Sequence, residues 1–227
     1  MEIANNILKH SLQNVYFLRG TALAGKTTMA KALVEKHGFV WLDENYNGAP
    51  FKMWESICDE KYQPLKTERD RVHNKQEKYD WDAHFNRPAE EILAKSSGRS
   101  LNDEFIEFAI IELVKLSQNN KVITDAFVPL ELLLEISDYK RIACLLASPS
   151  LVTTINYGSR NDHKNYLDWI MSLNEPEKKI AKQDEVFRIS TERTFEEVKN
   201  HNLFNIVRTE QTTIEETLKL LEEHFML

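Results

Sequence analysis

Cysteine, glycine and proline are scarce in this chain, at two, six and six residues among 227. The two cysteines, Cys58 and Cys144, lie far apart and outside any C-x-x-C spacing. That argues against a disulfide framework or a cysteine-based metal site, and predicts reduced thiols in a cytoplasmic protein. No apolar run approaches the 18 residues of a membrane span, and the opening MEIANNILKH lacks the basic start and apolar core of a signal peptide. Positive charge is in deficit, with 29 Lys and Arg against 36 Asp and Glu, a net charge of −7. Wrapping a DNA or RNA backbone needs a basic face, so no nucleic-acid partner is expected. A small phosphorylated ligand is still allowed, because local cations decide its binding. The chain is long enough for one α/β domain with a sizeable core, and no repeat, low-complexity tract or linker divides it.

Glycine is rare, yet two of the six stand in one short loop. Gly20-Thr21-Ala22-Leu23-Ala24-Gly25-Lys26-Thr27-Thr28 spells G-x-x-x-x-G-K-T. The apolar run Val15-Tyr16-Phe17-Leu18 precedes it and a helix-like stretch, Thr27 to His37, follows. Strand, glycine-bounded loop and helix in that order are the context of a phosphate-binding loop. Glycines let the backbone curl so that successive N–H groups face an anion, and the following helix turns its positive end toward the same point. Lys26 is then expected to reach the β- and γ-phosphates of ATP, and the Thr27 hydroxyl to ligate Mg²⁺.

Further strands and helices alternate along the chain. Strands are predicted near 15–19, 39–42, 121–125, 141–146 and 204–208, each short and apolar, with helices between them. Gly38 marks the end of the first helix. A stretch at about 44–118 contains no strand and reads as helices, one of them opening at Ser100 with Asp103 as a cap pair. Pro129 introduces a helix over Leu130 to Ile136, and Ser148-Pro149 opens another. Thr194 with Glu197 predicts the start of a short helix, and Thr213 with Glu216 the cap of the last, which places Ile214, Leu218, Leu221 and Phe225 on one face. Such alternation implies a parallel five-stranded sheet covered by helices on both sides.

Ligands of such sheets lie outside the carboxyl ends of the strands. There the sequence places the loop, then Asp43 and Glu44, then Asp125, then Ala147-Ser148, then Arg208-Thr209. Asp125 closes an apolar strand in the manner of a Walker B acid and is expected to hold Mg²⁺ through water. Asp43 or Glu44 stands where an acceptor hydroxyl would need a general base. Asp43 comes first, and a one-residue shift of the strand end would favour Glu44.

In layout the chain resembles the P-loop kinases of small molecules, the group of nucleoside monophosphate kinases, shikimate kinase and chloramphenicol phosphotransferase. The matching parts are GTALAGKTT, FVWLDE, KVITDA, RIACLLASPS and the helix running to Tyr157-Gly158-Ser159-Arg160, about half the chain. The resemblance implies a three-layer P-loop NTPase fold, an acceptor-binding insertion after the second strand, and a lid at about 157–190 that brings arginine onto the phosphates. Arg160 leads as that arginine, with Arg188 second. The chain departs from the group after Asp125, where Ala-Phe replaces a glycine-containing turn, and in Asn156, which stands where an earlier lid arginine is expected.

Residues 39 to 85 hold nine aromatic side chains from Phe39 and Trp41 to Trp81 and Phe85, and Arg69, Arg71, Arg87 and Arg99 lie close by in the sequence. Flat rings can stack on a base and a guanidinium can grip phosphate or carboxylate, so a nucleoside or nucleotide acceptor is the preferred expectation. Lys178, Lys179 and Lys182 read as a solvated helix face. The sequence thus predicts an ATP- and Mg²⁺-dependent phosphotransferase acting on a small molecule, as monomer or homodimer and without membrane contact. The alternatives are a kinase of a non-nucleotide hydroxylated metabolite or antibiotic, or a nucleotide-binding regulator with slow NTP hydrolysis. No guanine-reading N-K-x-D motif is present.

Overall fold

A computed structural model describes residues 5–43, 80–96, 102–159 and 161–227. The elements are α1 (Asn5–Ser11), β1 (Val15–Gly20), α2 (Lys26–His37), β2 (Val40–Leu42), α3 (Trp81–Phe85), α4 (Ala89–Ser96), α5 (Asn102–Ser117), β3 (Val122–Thr124), α6 (Leu130–Ile136), β4 (Ile142–Ala147), α7 (Thr154–Gly158), α8 (Asn161–Met171), α9 (Pro176–Asn200), β5 (Asn205–Arg208) and α10 (Ile214–Phe225). They divide into two compact units. One is drawn from Met1–Asn47, Ile110–Val152 and Thr191–Leu227, the other from Gly48–Ala109 and Thr153–Ser190.

The first unit holds one sheet of five strands in the order β2-β3-β1-β4-β5, every pair parallel. Burial explains which strands lie inside. All six residues of β4 and all three of β3 are buried, and consecutive side chains of a strand point to opposite faces, so both faces of the sheet are covered. The outer strand β5 instead alternates, with Ile206 buried between exposed Asn205 and Val207. Phe17, Leu18, Met29, Leu33, Leu133 and Ile136 are among the fully buried side chains that fill the space between sheet and helices. Large apolar side chains at these positions each remove enough area from water to contribute about 1.5–3 kcal/mol.

Three boundaries follow from named signals. Gly38 takes φ +70° beyond α2, and its N–H bonds the Val34 carbonyl, the left-handed stop that glycine adopts without steric cost. Thr213 and Glu216 form a complete capping box at α10. Pro129 occupies the N-cap of α6, one position earlier than a first-turn proline. α10 buries Thr217, Leu221 and Phe225; Leu218 is half-buried and Ile214 exposed, so the apolar face is narrower than expected.

Two expected helix starts are corrected. Thr194 and Glu197 do not open a helix, because they lie inside the 25-residue α9. No glycine or proline interrupts residues 177–200, and a T-x-x-E pattern within such a run carries no stop signal. Ser148-Pro149 opens only a single 3₁₀ turn, Pro149–Leu151, before α7. The expected cap at Ser100 lies outside the described residues.

In the second unit, the aromatic rings form a chain. Trp81 meets Trp169 with centroids 4.5 Å apart, Trp169 meets Tyr166 at 5.6 Å, Tyr166 meets Tyr157 at 5.4 Å, and Tyr157 meets Phe187 at 5.7 Å. A Cβ on Gly158 would lie 2.4 Å from the Leu167 side chain, so glycine permits the close approach of α7 and α8. Lys179 is not part of a solvated face. It is 5% exposed, its ammonium 2.6 Å from Asp82 and also donating to the Asn174 carbonyl. A four-carbon stem lets this lysine bury its length and still place its charge against an acid.

Candidate functional site at the loop after the first strand

β1 is the central strand, and the chain leaves its carboxyl end through the loop 21–25 into α2. The loop is built from backbone that side chains would obstruct. Gly20 has φ +131°, and a Cβ there would stand 1.7 Å from the Leu145 carbonyl oxygen of the neighbouring strand. Gly25 has φ +83°, and its Cβ would stand 1.9 Å from a terminal nitrogen of Arg208. Leu23 also takes a positive φ, +59°, a conformation costly for a branched residue. Thr21 is buried and braces the curve: its hydroxyl accepts from the Ala147 N–H at 2.7 Å, and its own N–H donates to Leu145 at 3.1 Å.

α2 begins directly at the end of this loop. No side chain caps its N-terminus at Gly25, and no acid stands in its first turn. The first-turn N–H groups of a 12-residue helix therefore face the loop with the positive end of the helix dipole behind them. The Lys26 ammonium donates to the Thr21 carbonyl at 2.7 Å, which places a cation over the loop. Gly20, Thr21, Ala22, Leu23, Ala24, Gly25, Lys26, Thr27 and Thr28 thus form one curled segment from strand to helix.

Strand order brings the acid to it. β3 lies beside β1, with Val15 opposite Val122 and Phe17 opposite Thr124, so Asp125 leaves the sheet next to the loop. The Thr27 hydroxyl donates to one Asp125 oxygen at 2.6 Å, and the Trp41 indole N–H donates to the other at 2.9 Å. Asp125 is 6% exposed, and these two hydrogen bonds offset part of the carboxylate's burial cost.

Asp43 follows β2 directly and is half-buried. Glu44 and Arg160 lie outside the described residues, and Arg188 is exposed on α9. Two residues at the loop were not among the sequence-derived site residues. The sequence presents Trp41 as a stacking ring, yet its N–H engages Asp125. Arg208, the last residue of β5, donates to the Ala24 carbonyl at 2.9 Å, and its buried Nε has no partner. Burial lowers its pKa from the ordinary guanidinium value. The only sequence signal for Arg208 was its place at a strand's carboxyl end.

A cavity of about 400 Å³ lined by Leu146, Phe195, Val198, Leu203 and Val207 includes no loop residue. Glu196, Lys199, Asn202 and Asn205 complete its lining, and it lies apart from the loop 21–25. Cys144 is buried in β4, which pushes its thiol up to about 11 and makes it a poor nucleophile. Among the described residues, no group of three or more His, Cys, Asp or Glu side chains is placed to hold a metal ion, and no helix is long and apolar enough to cross a membrane. No protein-family profile and no curated protein sequence matches this chain.

Proposed function

We propose that this chain is an ATP- and Mg²⁺-dependent phosphotransferase of P-loop NTPase fold, acting on a small molecule, with a nucleoside or nucleotide as acceptor. The observation that carries the reading is the hydrogen bond from Thr27 to Asp125, 2.6 Å long, beside an uncapped helix N-terminus and Lys26. The residues fit a triphosphate and its metal. Gly20 and Gly25 leave a cradle that a Cβ would obstruct, and the donor set offers N–H groups and one ammonium to an anion. A hydroxyl and one carboxylate are a sparse protein contribution to a cation. That suits Mg²⁺, which keeps phosphate oxygens and water for its other positions.

When bound, Mg²⁺·ATP supplies the phosphoryl group and neutralises much of its charge. The loop amides and α2 hold the phosphate chain, and Lys26 leaves the Thr21 carbonyl to offset charge on the β- and γ-phosphates. The Thr27 hydroxyl can keep its proton on Asp125 while presenting a lone pair to the cation. Asp43 or Glu44 orients or deprotonates the acceptor hydroxyl, and Arg160 adds a cation from the lid. The aromatic residues and arginines between Trp41 and Arg99 favour a planar acceptor with an anionic group.

The reading is tested by coupled ADP release over common nucleosides and nucleoside monophosphates, with ATP binding measured in parallel by calorimetry. Turnover with one of these acceptors is the expected result. ATP binding with transfer only to a non-nucleotide alcohol would replace the acceptor class. Hydrolysis unaffected by any acceptor would favour a nucleotide-dependent regulator.

A further inference from the structure

The buried carboxylate of Asp125 has a second donor that the phosphate-transfer chemistry does not itself require. We infer that Trp41 is a positioning residue for the metal site, its indole N–H holding the Asp125 carboxylate so that the remaining oxygen faces Thr27. The inference rests on the reading of Thr27 and Asp125 as the Mg²⁺-binding pair.

Geometry and chemistry both support it. Trp41 lies opposite Ile123 in the β2–β3 register, and Asp125 follows two residues later, so the indole and the carboxylate meet at the carboxyl edge of the sheet. Asp125 lies beyond β3, and the terminal torsion of an aspartate is broad and nearly two-fold, so a single partner would leave the carboxylate plane free to turn. Trp41 on one oxygen at 2.9 Å and Thr27 on the other at 2.6 Å remove that freedom. An indole N–H can donate but never accept, so it cannot take over the role of ligand or hold a metal-bound water as acceptor. It can only orient the acid. The ring is itself held, with the Lys31 ammonium 5.2 Å from its centroid. Lys31 stands four residues after Thr27, on the same side of α2, so Thr27, Lys31, Trp41 and Asp125 form one connected set.

The decisive variant is Trp41→Phe, which keeps a ring and removes the donor. ADP binding is titrated by calorimetry in EDTA and across a Mg²⁺ series, for wild type and variant. A hydrogen bond to a charged acceptor is worth enough that the Mg²⁺ concentration for half-maximal effect should rise about tenfold. ADP affinity in EDTA should stay within about twofold, since the donor does not touch phosphate. In ¹⁵N-tryptophan-labelled wild type loaded with ADP, the Trp41 indole N–H resonance should move on adding Mg²⁺. It can be assigned from single replacements of the other three tryptophans, so this measurement does not depend on the folding of Trp41→Phe. An unchanged Mg²⁺ half-point, or an indole resonance indifferent to Mg²⁺, overturns the positioning role while a wild type that binds Mg²⁺·ADP keeps the phosphotransferase reading. A wild type that binds no nucleotide with or without Mg²⁺ removes both.

Discussion

Two helices of the first unit begin in opposite ways. α10 starts with a full capping box: the Thr213 hydroxyl accepts from the Glu216 N–H at 3.1 Å, and the Glu216 carboxylate accepts from the Thr213 N–H at 3.0 Å. Glu215 and Glu216 add negative charge to that first turn. α2 starts at a glycine with no capping side chain and no acid, followed at once by a lysine. The same chain therefore caps one helix end with its own side chains and begins the other without a side-chain cap. A helix start without a capping side chain forgoes one source of acceptors for its first-turn N–H groups. At α2 the arrangement is backed by two glycines against neighbouring atoms, a positive φ at Leu23 and an acid held by Thr27. Backbone strain at one loop, where a helix also begins without a side-chain cap, sets that loop apart from an ordinary structural turn.

The strongest way to break the comparison is at Lys26. Lys26→Ala should lower phosphoryl transfer by about 10²–10³-fold or more while the melting temperature stays near wild type, since the side chain lies over the loop and not in the core. Wild-type turnover in the folded variant would mean that the open helix end is not a catalytic cradle.

Next come Thr27→Ala and Asp125→Asn. Each should raise the Mg²⁺ requirement of nucleotide binding by about tenfold, with a smaller change in affinity measured in EDTA. If both variants keep the wild-type Mg²⁺ curve, the cation is held elsewhere.

Thr213→Ala supplies the opposite limb. Losing this cap should cost about 1 kcal/mol, or roughly 2–4 °C of melting temperature for a chain this size, without altering nucleotide binding. A loss of nucleotide affinity equal to that of the loop variants would erase the distinction between the two helix ends.

The smallest effect is on pH dependence, and it lies at the other end of α10. Burial lowers the pKa of His224 from 6.5, so the folded state favours neutral imidazole. Its contribution is present above that pH and is lost as pH falls below it. Glu222, hydrogen bonded by Lys36 and His37, is held below the usual carboxylate value and adds a loss of the same sign in stronger acid. Melting temperature should therefore fall between about pH 7.5 and pH 5.5, and His224→Gln should flatten that slope. A slope unchanged in the variant would assign the acid sensitivity to other groups.

The outline of the first unit was legible in the sequence because its signals are local. Five apolar runs became five strands within a residue or two at each end, Gly38 stopped α2, and Thr213 with Glu216 capped α10. Where a local signal lacked a tertiary counterpart it misled, as Thr194 and Glu197 did inside α9. Lys179 misled in the other direction, since its neighbours in sequence are solvated and only packing against Asp82 takes it out of water.

The sequence by itself determined the curled loop between β1 and α2, since glycine spacing and a following helix are properties of consecutive residues. It also determined that Asp125 ends a buried strand. Which strands are neighbours is not a local property. Only the tertiary structure set β3 between β1 and β2, and that order lets Thr27 and Trp41 reach the two oxygens of one carboxylate from different elements. It likewise carried Arg208 from the last strand to the Ala24 carbonyl, 184 residues back along the chain. Contacts of such separation depend on how the sheet closes around its central strand, because a parallel sheet pairs strands that the sequence keeps far apart.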